Sequence, residues 1–224
     1  YIHLMNNLPL AIGRAGRASL PILTLLCLLT TPLPASDTAE KAREMTSNLE
    51  KIDELITKTT KRLRDSLANL DRISKESDKP RDAFEDYTDS LKDYKGTQSD
   101  LSERIDHFRG IAESRFKDWE ADLAKMEGDL KGISQERMNK AKKEYDEVDK
   151  KVRAIGAKLT KAVDKLQEVQ TYFTTELNAA SIQAASKVID AAKKSADEVT
   201  QALEEMKADY KQLKTDTAET KAKE

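Results

Sequence analysis

Apolar residues recur at alternating spacings of three and four along almost all of the chain after residue 40. This period places them on one face of an α-helix, so it predicts long amphipathic helices. The clearest stripe contains Phe84, Tyr87, Leu91, Tyr94, Gln98, Leu101, Ile105, Phe108, Ala112, Phe116, Trp119, Leu123 and Met126. Because so narrow a stripe must be covered by other helices, the pattern indicates a coiled-coil bundle.

Turn-forming residues divide residues 37–214 into four predicted helices. The first begins near Asp37 and ends around Ser77, and Pro80 begins the second because proline suits the first helical position. The connections have only a few residues, so successive helices should fold back on one another. The expected fold class is therefore all-α, an elongated antiparallel coiled-coil bundle of about four long helices.

The second half of the chain contains two further predicted boundaries. Gly128 and Gly132 interrupt the apolar pattern, and Ser134 is the predicted cap of the third helix. A softer boundary at Asn178 separates this helix from a fourth one that is rich in alanine. Residues 215–224 have no apolar partner, and we expect this polar tail to fray.

The stripe shifts by an extra four-residue step at two points, from Ile56 to Thr60 and from Ala112 to Phe116. Such steps locally unwind a left-handed supercoil. We therefore expect a straighter bundle at these two levels.

The first 36 residues have the organisation of a secretory signal peptide. Arg14 and Arg17 precede an apolar run over residues 20–29, and a segment of small residues follows. We expect cleavage between Ala35 and Asp37. The run is shorter than the roughly 20 residues that span a bilayer, and an uncleaved anchor is the less favoured alternative. The predicted location is the periplasm or the exterior of the cell.

Composition excludes some classes of protein. Charged residues make up 36% of the chain against 5% aromatic residues, which is typical of long solvated helices and not of a wide core. The net charge is −2, and it becomes −4 once the leader with its two arginines is removed, so no nucleic acid partner is expected. Cys27, the only cysteine, lies in the apolar run of the leader, so the mature protein should form no disulfide.

No candidate catalytic, cofactor-binding or metal-binding residue emerges from the sequence. His107 is the only histidine outside the amino-terminal region, and its position beside the stripe is typical of a surface side chain. Metal sites in helical bundles commonly use Glu-x-x-His pairs, and the chain has none. A Gly-rich phosphate loop, a serine nucleophile elbow and a cysteine nucleophile are also missing. We therefore expect no enzyme and no cofactor.

Two segments resemble a known family. Residues 116–123 contain Phe-x-x-Trp-Glu, and residues 177–182 contain Leu-Asn-Ala after Phe173. In this order they resemble the uncharacterised bacterial family catalogued as domain of unknown function 2959. A weaker likeness over residues 64–73 extends the resemblance towards the amino end. The resemblance implies a secreted or envelope-associated coiled-coil protein of Gram-negative bacteria and supplies no established activity.

These observations favour a non-catalytic periplasmic or envelope-associated coiled-coil protein that acts as a structural spacer or interaction scaffold. Its expected partners are envelope proteins, and four narrow stripes are also compatible with self-association. The alternative is a peripheral membrane protein whose bundle opens and lays its amphipathic stripes on lipid. We favour this alternative less, because basic residues do not concentrate along one face and the mature net charge opposes anionic lipid.

Overall fold

The computed structural model describes residues 37–75 and 80–221, which form five α-helices. They are α1 (Asp37–Lys75), α2 (Pro80–Lys125), α3 (Asp129–Thr175), α4 (Ala179–Ala184) and α5 (Ser186–Lys221). The described residues contain no strand, so the predicted all-α class is confirmed. The predicted leader, Cys27 and the turn before Pro80 lie outside the described residues. At about 1.5 Å per residue, the 47 residues of α3 extend over about 70 Å.

Helices α1 and α2 form the most extensive pair and run antiparallel. Their direction follows from the cross-helix contacts: Arg72 pairs with Asp86 near the connection, and Arg62 pairs with Asp93 further along. Pro80 begins α2, as the sequence predicts. The helix then continues without interruption to Lys125, so the predicted stripe lies on a single helix that is 46 residues long.

All four long helices contribute to the larger of two buried clusters, which we call the main core. Its members are Ile56, Leu63, Leu70, Ile73, Ala83, Tyr87, Leu91, Tyr94, Leu101, Leu159, Ala162, Leu166, Val169, Phe173, Ala185, Ile189, Ala192, Ala196, Val199 and Leu203. Five of its members are alanines, two of them on α5, and such small side chains allow neighbouring helices to approach closely. In this region the predicted stripes therefore pack against one another and are shielded from solvent.

Two buried hydroxyl contacts connect neighbouring helices inside the main core. The Thr59 hydroxyl donates a hydrogen bond to the Thr97 carbonyl at 3.2 Å, which joins α1 to α2. The Tyr87 hydroxyl donates to the Leu166 carbonyl at 2.7 Å, which joins α2 to α3. Burial raises the pKa of the Tyr87 phenol, so this group stays a neutral donor. Each contact fixes the axial position of one helix relative to another.

A smaller cluster, which we call the hairpin core, lies further along the α2–α3 hairpin. It consists of Phe108, Ile111, Ala112, Phe116, Trp119, Leu123, Met138, Ala141 and Tyr145. Leu49 and Ile52 of α1 pack against it. Among the described side chains, this cluster therefore draws almost entirely on two helices.

The two predicted shifts of the stripe coincide with unusually wide buried faces. At the second shift α2 buries both the helix face used before the shift and the face used after it. The buried residues there are Ile111, Ala112, Arg115 and Phe116. At the first shift Thr59 and Thr60 are both buried beside Ile56 for the same reason. The sequence located these levels, but it did not identify Arg115 as a buried residue.

Two predicted boundaries require correction. Ser134 does not cap α3, since that helix begins at Asp129 and includes Gly132. The predicted fourth helix is divided into α4 and α5 at Ala185. Asn178 does mark the boundary: its side chain accepts hydrogen bonds from the backbone amides of Ala180 and Ser181, and it caps the short helix α4.

Helix α5 extends to Lys221, so it includes most of the segment for which the sequence predicts a frayed tail. The fold therefore consists of two antiparallel pairs, α1 with α2 and α3 with α5, that pack along their length. The α2–α3 connection lies at one end of α3, and the connection before α4 lies at the other.

Candidate interaction surface at the hairpin tip

The hairpin tip, residues 126–133, comprises the turn between α2 and α3 and the first turn of α3. Gly128 has φ 72° and ψ −162°, a backbone conformation that is open almost only to glycine. The amide of Met126 donates to the Leu123 carbonyl, and the amide of Lys131 donates to the Gly128 carbonyl. A turn of three residues therefore reverses the chain and brings the start of α3 back against α2.

The indole of Trp119 attaches the two helices just behind this turn. Its Nε1 donates a hydrogen bond to the Ser134 hydroxyl at 3.0 Å, while the ring itself is buried. Next to it in the hairpin core, the rings of Phe116 and Tyr145 meet edge to face with centroids 5.5 Å apart. Ser134 thus binds the tryptophan of the opposite helix and has no capping role.

Leu130 and Ile133 project from this support into solvent. They are 74% and 55% exposed, and they exceed every other large apolar side chain of the described residues in exposure. Three residues apart on one helix, they lie on the same face. Arg137 and Lys140, which are also exposed, continue that face at the next two helical positions. The surface is therefore apolar at the tip and basic one to two turns behind it.

The sequence prediction missed Leu130 and Ile133. It placed the start of α3 at Ser134, which assigned both residues to a loop and removed them from any stripe. The available signal was a pair of aliphatic residues between Gly128 and Ser134 that no predicted helix used. Aliphatic side chains are uncommon in a solvated turn unless a contact requires them.

Charged side chains reinforce the hairpin further from the tip. Asp149 of α3 accepts hydrogen bonds from Arg109 of α2 and Arg153 of α3, each at 2.5 Å, and Arg109 also binds Asp106. Burial by itself would raise the pKa of Asp149, but the hydrogen bonds from Arg153 and Arg109 outweigh it and lower that pKa. Asp149 therefore remains ionised and connects α2 to α3.

Arg115 is the most unusual charged residue of the hairpin, since its side chain is only 1% exposed. Burial lowers the pKa of its guanidinium. Glu144 Oε2, on α3, is also buried and forms no hydrogen bond among the described residues. These two groups place polar chemistry inside the hairpin.

His107 lies on the surface between α1 and α2. Its Nε2 is 3.5 Å from Glu44 Oε1, and the ring is about half exposed. A shallow groove beside it is lined by Leu55, Asp100, Glu103 and Arg104. The histidine thus lies in a mixed polar environment that is open to solvent.

The described residues, 37–75 and 80–221, provide neither a metal-binding cluster nor a membrane-spanning helix. They contain no group of three or more histidine, cysteine, aspartate or glutamate side chains arranged to hold a metal ion. None of their helices combines the length and the apolar character that crossing a membrane requires.

Comparison with known proteins gives one positive result. No curated protein and no solved structure matches the chain. A family model described as "Protein of unknown function (DUF2959)" matches residues 36–218. The matched range includes both segments on which the sequence resemblance was based, and it covers the hairpin tip, the hairpin core and the main core. Because the match extends over most of the chain, the chain belongs to this family of unknown function.

Proposed function

We propose that the protein is a non-catalytic, exported structural spacer or interaction scaffold of the bacterial envelope. In this proposal the leader directs the chain to the periplasm and is removed between Ala35 and Asp37. The mature part is an elongated antiparallel coiled-coil bundle that connects partner proteins. The enzyme class is set aside because the sequence offers no nucleophile or phosphate-binding motif.

The distribution of exposed apolar side chains carries the proposal. The three large ones in the described residues are Leu130, Ile133 and Tyr172. The first two lie in the first turn of α3, and Tyr172 lies in its last turn. Leu130 and Tyr172 are 42 positions apart in the sequence, which is about 63 Å along the helix. A helix that buries its length and exposes apolar groups at both ends suits a spacer between two partners.

The alternative function, in which the amphipathic stripes lie on a membrane, has less support. Most of the described stripe residues are buried in the main core or the hairpin core, and most of the others are partly buried against them. Laying them on lipid would require separation of four packed helices and loss of the hydroxyl contact between Tyr87 and Leu166. The free energy of this packing would therefore oppose membrane binding through the stripes.

A site-specific crosslinking experiment tests the spacer. A photoreactive phenylalanine analogue is placed at Ile133, at Tyr172 or at the exposed mid-helix residue Lys161, and cells that express the full chain are irradiated. We expect discrete protein adducts from the two ends and none from Lys161. Adducts that form equally from all three positions, or only from Lys161, would show that the ends are not the interaction sites.

Export is tested separately. The protein is recovered from periplasmic and cytosolic fractions, and its amino terminus is sequenced. We expect a periplasmic protein that begins at Ser36 or Asp37. A cytosolic product that retains residues 1–35 would contradict the envelope location, whatever the crosslinking shows.

A further inference from the structure

We infer that the protein forms an end-to-end dimer through the end of the bundle opposite the hairpin tip, so that the two tips point away from each other. We call this surface the neutral end. It consists of residues 170–186, which include the last turn of α3, the turn after it and α4. The dimer rests on the proposed spacer function and identifies one of the spacer's partners as a second copy of the chain.

Charge is scarce at the neutral end. Glu176 is the only charged residue among residues 170–186, whereas charged residues make up 36% of the chain. Its carboxylate accepts a hydrogen bond from the Asn178 side chain at 3.0 Å. Charged residues are depleted in the cores of protein interfaces, because taking ions out of water is costly. A partner can therefore cover this surface without desolvating many ions.

The neutral end also exposes apolar groups. Tyr172 is 39% exposed, and its ring packs against that of Phe173 with centroids 5.6 Å apart. Tyrosine is enriched in interfaces because one side chain supplies a large apolar area together with a polar group. Three alanines of α4 are exposed as well: Ala179, Ala180 and Ala184. The surface thus combines an aromatic ring with small side chains that allow a partner to approach closely.

A groove of about 410 Å³ opens beside α4, between α1 and α5. Ile73 of α1, Ile182 of α4 and Ile189 of α5 contribute apolar side chains to its lining. A cavity of about 150 Å³ already holds a benzene-sized group, so this groove can receive side chains of a partner. The same end of the bundle therefore offers a projecting ring and a concave apolar surface.

The charge distribution identifies the partner as a second copy. In a two-fold dimer the same surface of both copies meets, so an excess of one charge sign faces itself. Residues 170–186 avoid this repulsion, and residues 75–82, which end α1 and begin α2 there, contain three basic and three acidic side chains. At the hairpin tip, residues 118–136 contain six acidic and two basic side chains. Charge complementarity thus directs a second copy to the neutral end and not to the tip.

The neutral end is ordered before any partner binds. The Asn178 side chain accepts hydrogen bonds from the amides of Ala180 and Ser181, and the Asn178 amide donates one to the Ser181 hydroxyl. These contacts fix the turn between α3 and α4, so little conformational entropy is lost on docking. An end-on contact between two bundles is small, and we therefore expect a concentration-dependent dimer and not a permanent one.

Distances between spin labels test the dimer. In the full chain with Cys27→Ser, one nitroxide is attached to a single cysteine introduced by Thr175→Cys, Lys161→Cys or Ile133→Cys. Dipolar electron spin resonance then measures the distance between the labels of two copies. In an end-to-end dimer, each step along α3 away from the neutral end separates the labels by twice the helical rise. The separation at position 161 should therefore exceed that at position 175 by about 42 Å.

We expect a short distance at position 175, a longer one at 161 and no measurable coupling at 133. A shortest distance at 133, or no coupling at any position, would overturn the inference. The order of distances also excludes association through the leader. Its apolar run precedes the start of α1, and Leu49 and Ile52 of α1 pack against the hairpin core. Contacts between leaders would therefore bring the labels at 133 together and not those at 175.

Added charge provides a second test. Ala180→Glu places like charges on the two meeting surfaces and should raise the dissociation constant of the dimer about tenfold. An acidic side chain suits the first turn of α4, so the fold is retained. Ala154→Glu, at an exposed position in the body of α3, is the matched control and should change the constant less than twofold. Sedimentation equilibrium measures both, and equal weakening by the two substitutions would contradict contact through the neutral end.

Opposite charges should restore the contact. Ala180→Lys should weaken the dimer as Ala180→Glu does, whereas an equal mixture of the two variants should dimerise about as tightly as the unsubstituted chain, because unlike charges then meet. A mixture that dimerises no better than either variant alone would contradict the two-fold arrangement. Circular dichroism and the emission of Trp119 confirm that every variant remains folded.

The crosslinking experiment separates the dimer from the spacer. A photoreactive residue in place of Tyr172 should give an adduct with twice the mass of the chain. Adducts of this position with a different protein alone would overturn the dimer and leave the spacer intact. Adducts that form equally from Tyr172, Ile133 and Lys161 would overturn the spacer, while the order of the spin-label distances still decides whether the dimer exists.

Discussion

The main core and the hairpin core bury apolar residues by different means. In the main core four long helices surround aliphatic and alanine side chains, and only three of its twenty members are aromatic. In the hairpin core, where the described contributors come almost entirely from α2 and α3, four of nine members are aromatic. An aromatic ring buries more area than an alanine or valine side chain, so the hairpin core excludes water with fewer, larger residues.

Polar contacts join neighbouring helices in both regions. The main core is connected by neutral hydroxyl groups, such as those of Thr59 and Tyr87, that reach backbone carbonyls. The hairpin is reinforced by charges, with Asp149 between two arginines. Ion pairs also join helices beside the main core, where Arg72 pairs with Asp86 and Arg62 with Asp93, and they lie at the rim where water reaches them. The comparison teaches that the two regions differ in the size of their buried side chains and not in the use of ion pairs.

The largest expected effect follows from a cavity in the main core. Leu166→Ala should lower the free energy of unfolding by about 2–5 kcal/mol, because Leu166 is fully buried among four helices. We expect the midpoint measured by far-ultraviolet circular dichroism to fall more than the midpoint from Trp119, the only tryptophan, which reports on the hairpin core. Leu130→Ala is the control and should change stability by less than about 0.5 kcal/mol. Equal shifts of both midpoints would show that the two cores unfold together.

The next effect concerns the turn at the tip. Gly128→Ala should destabilise the hairpin by about 1–3 kcal/mol, since a side chain is strained at this positive φ. Gly156→Ala is the matched control inside α3, where an added methyl group meets no atom within 4 Å. It should stabilise the protein by about 0.5–1 kcal/mol. Thermal unfolding monitored by Trp119 emission measures both changes, and effects of the same sign would contradict the assigned turn geometry.

Alkaline pH should weaken the hairpin core through Tyr145. Burial, and then the charges of Asp149 and Glu113, raise the pKa of the Tyr145 phenol to about 12. Its pKa in the unfolded chain is about 10, so its contribution is complete below pH 10 and is lost as the pH rises towards 12. The stability difference between the wild type and Tyr145→Phe should therefore shrink by roughly 1–2 kcal/mol over this range. Denaturant unfolding at several pH values measures it, and parallel pH profiles would refute it.

The smallest effect is expected from the ion pairs of the hairpin. Asp149→Asn should cost about 1 kcal/mol at neutral pH, after allowance for solvent screening. Because the pKa of Asp149 is lowered in the fold, its contribution is present above about pH 4 and is lost as the pH falls through the folded value. The cost of the substitution should therefore decrease in acid. The control is Asp146→Asn, at an exposed neighbouring position. An equal loss of stability there would show that Asp149 has no special role in the hairpin.

The sequence predicted much of the helical fold because the three-then-four spacing reports directly which face is buried. The start of α2 at Pro80 and the boundary at Asn178 were found because proline and capping side chains act locally. The predicted cap of α3, Ser134, lies six residues after the observed cap, Gly128, because Gly132 and Ser134 resemble a boundary when the packing of Trp119 against Ser134 is unknown. Local preference was overridden there by a contact between helices.

The candidate site was less predictable than the fold. Leu130 and Ile133 are noticed only once the hairpin tip is known to be helical and exposed. Arg115 was missed because it lies next to the point where the stripe shifts, and a charged residue there is normally expected on the surface. The exposure of Leu130 and Ile133 and the burial of Arg115 depend on distant parts of the chain, which a local sequence pattern does not describe.

The hydroxyl contacts from Thr59 to Thr97 and from Tyr87 to Leu166 have a mechanical consequence. A helix with a regular apolar repeat looks nearly the same after sliding by one turn of about 5.4 Å, so such bundles are prone to shear. If α2 slid by one turn past α1 or α3, a buried hydroxyl donor would lose its carbonyl acceptor. Tension or compression applied at one end is therefore transmitted along the whole bundle and is not dissipated by slippage.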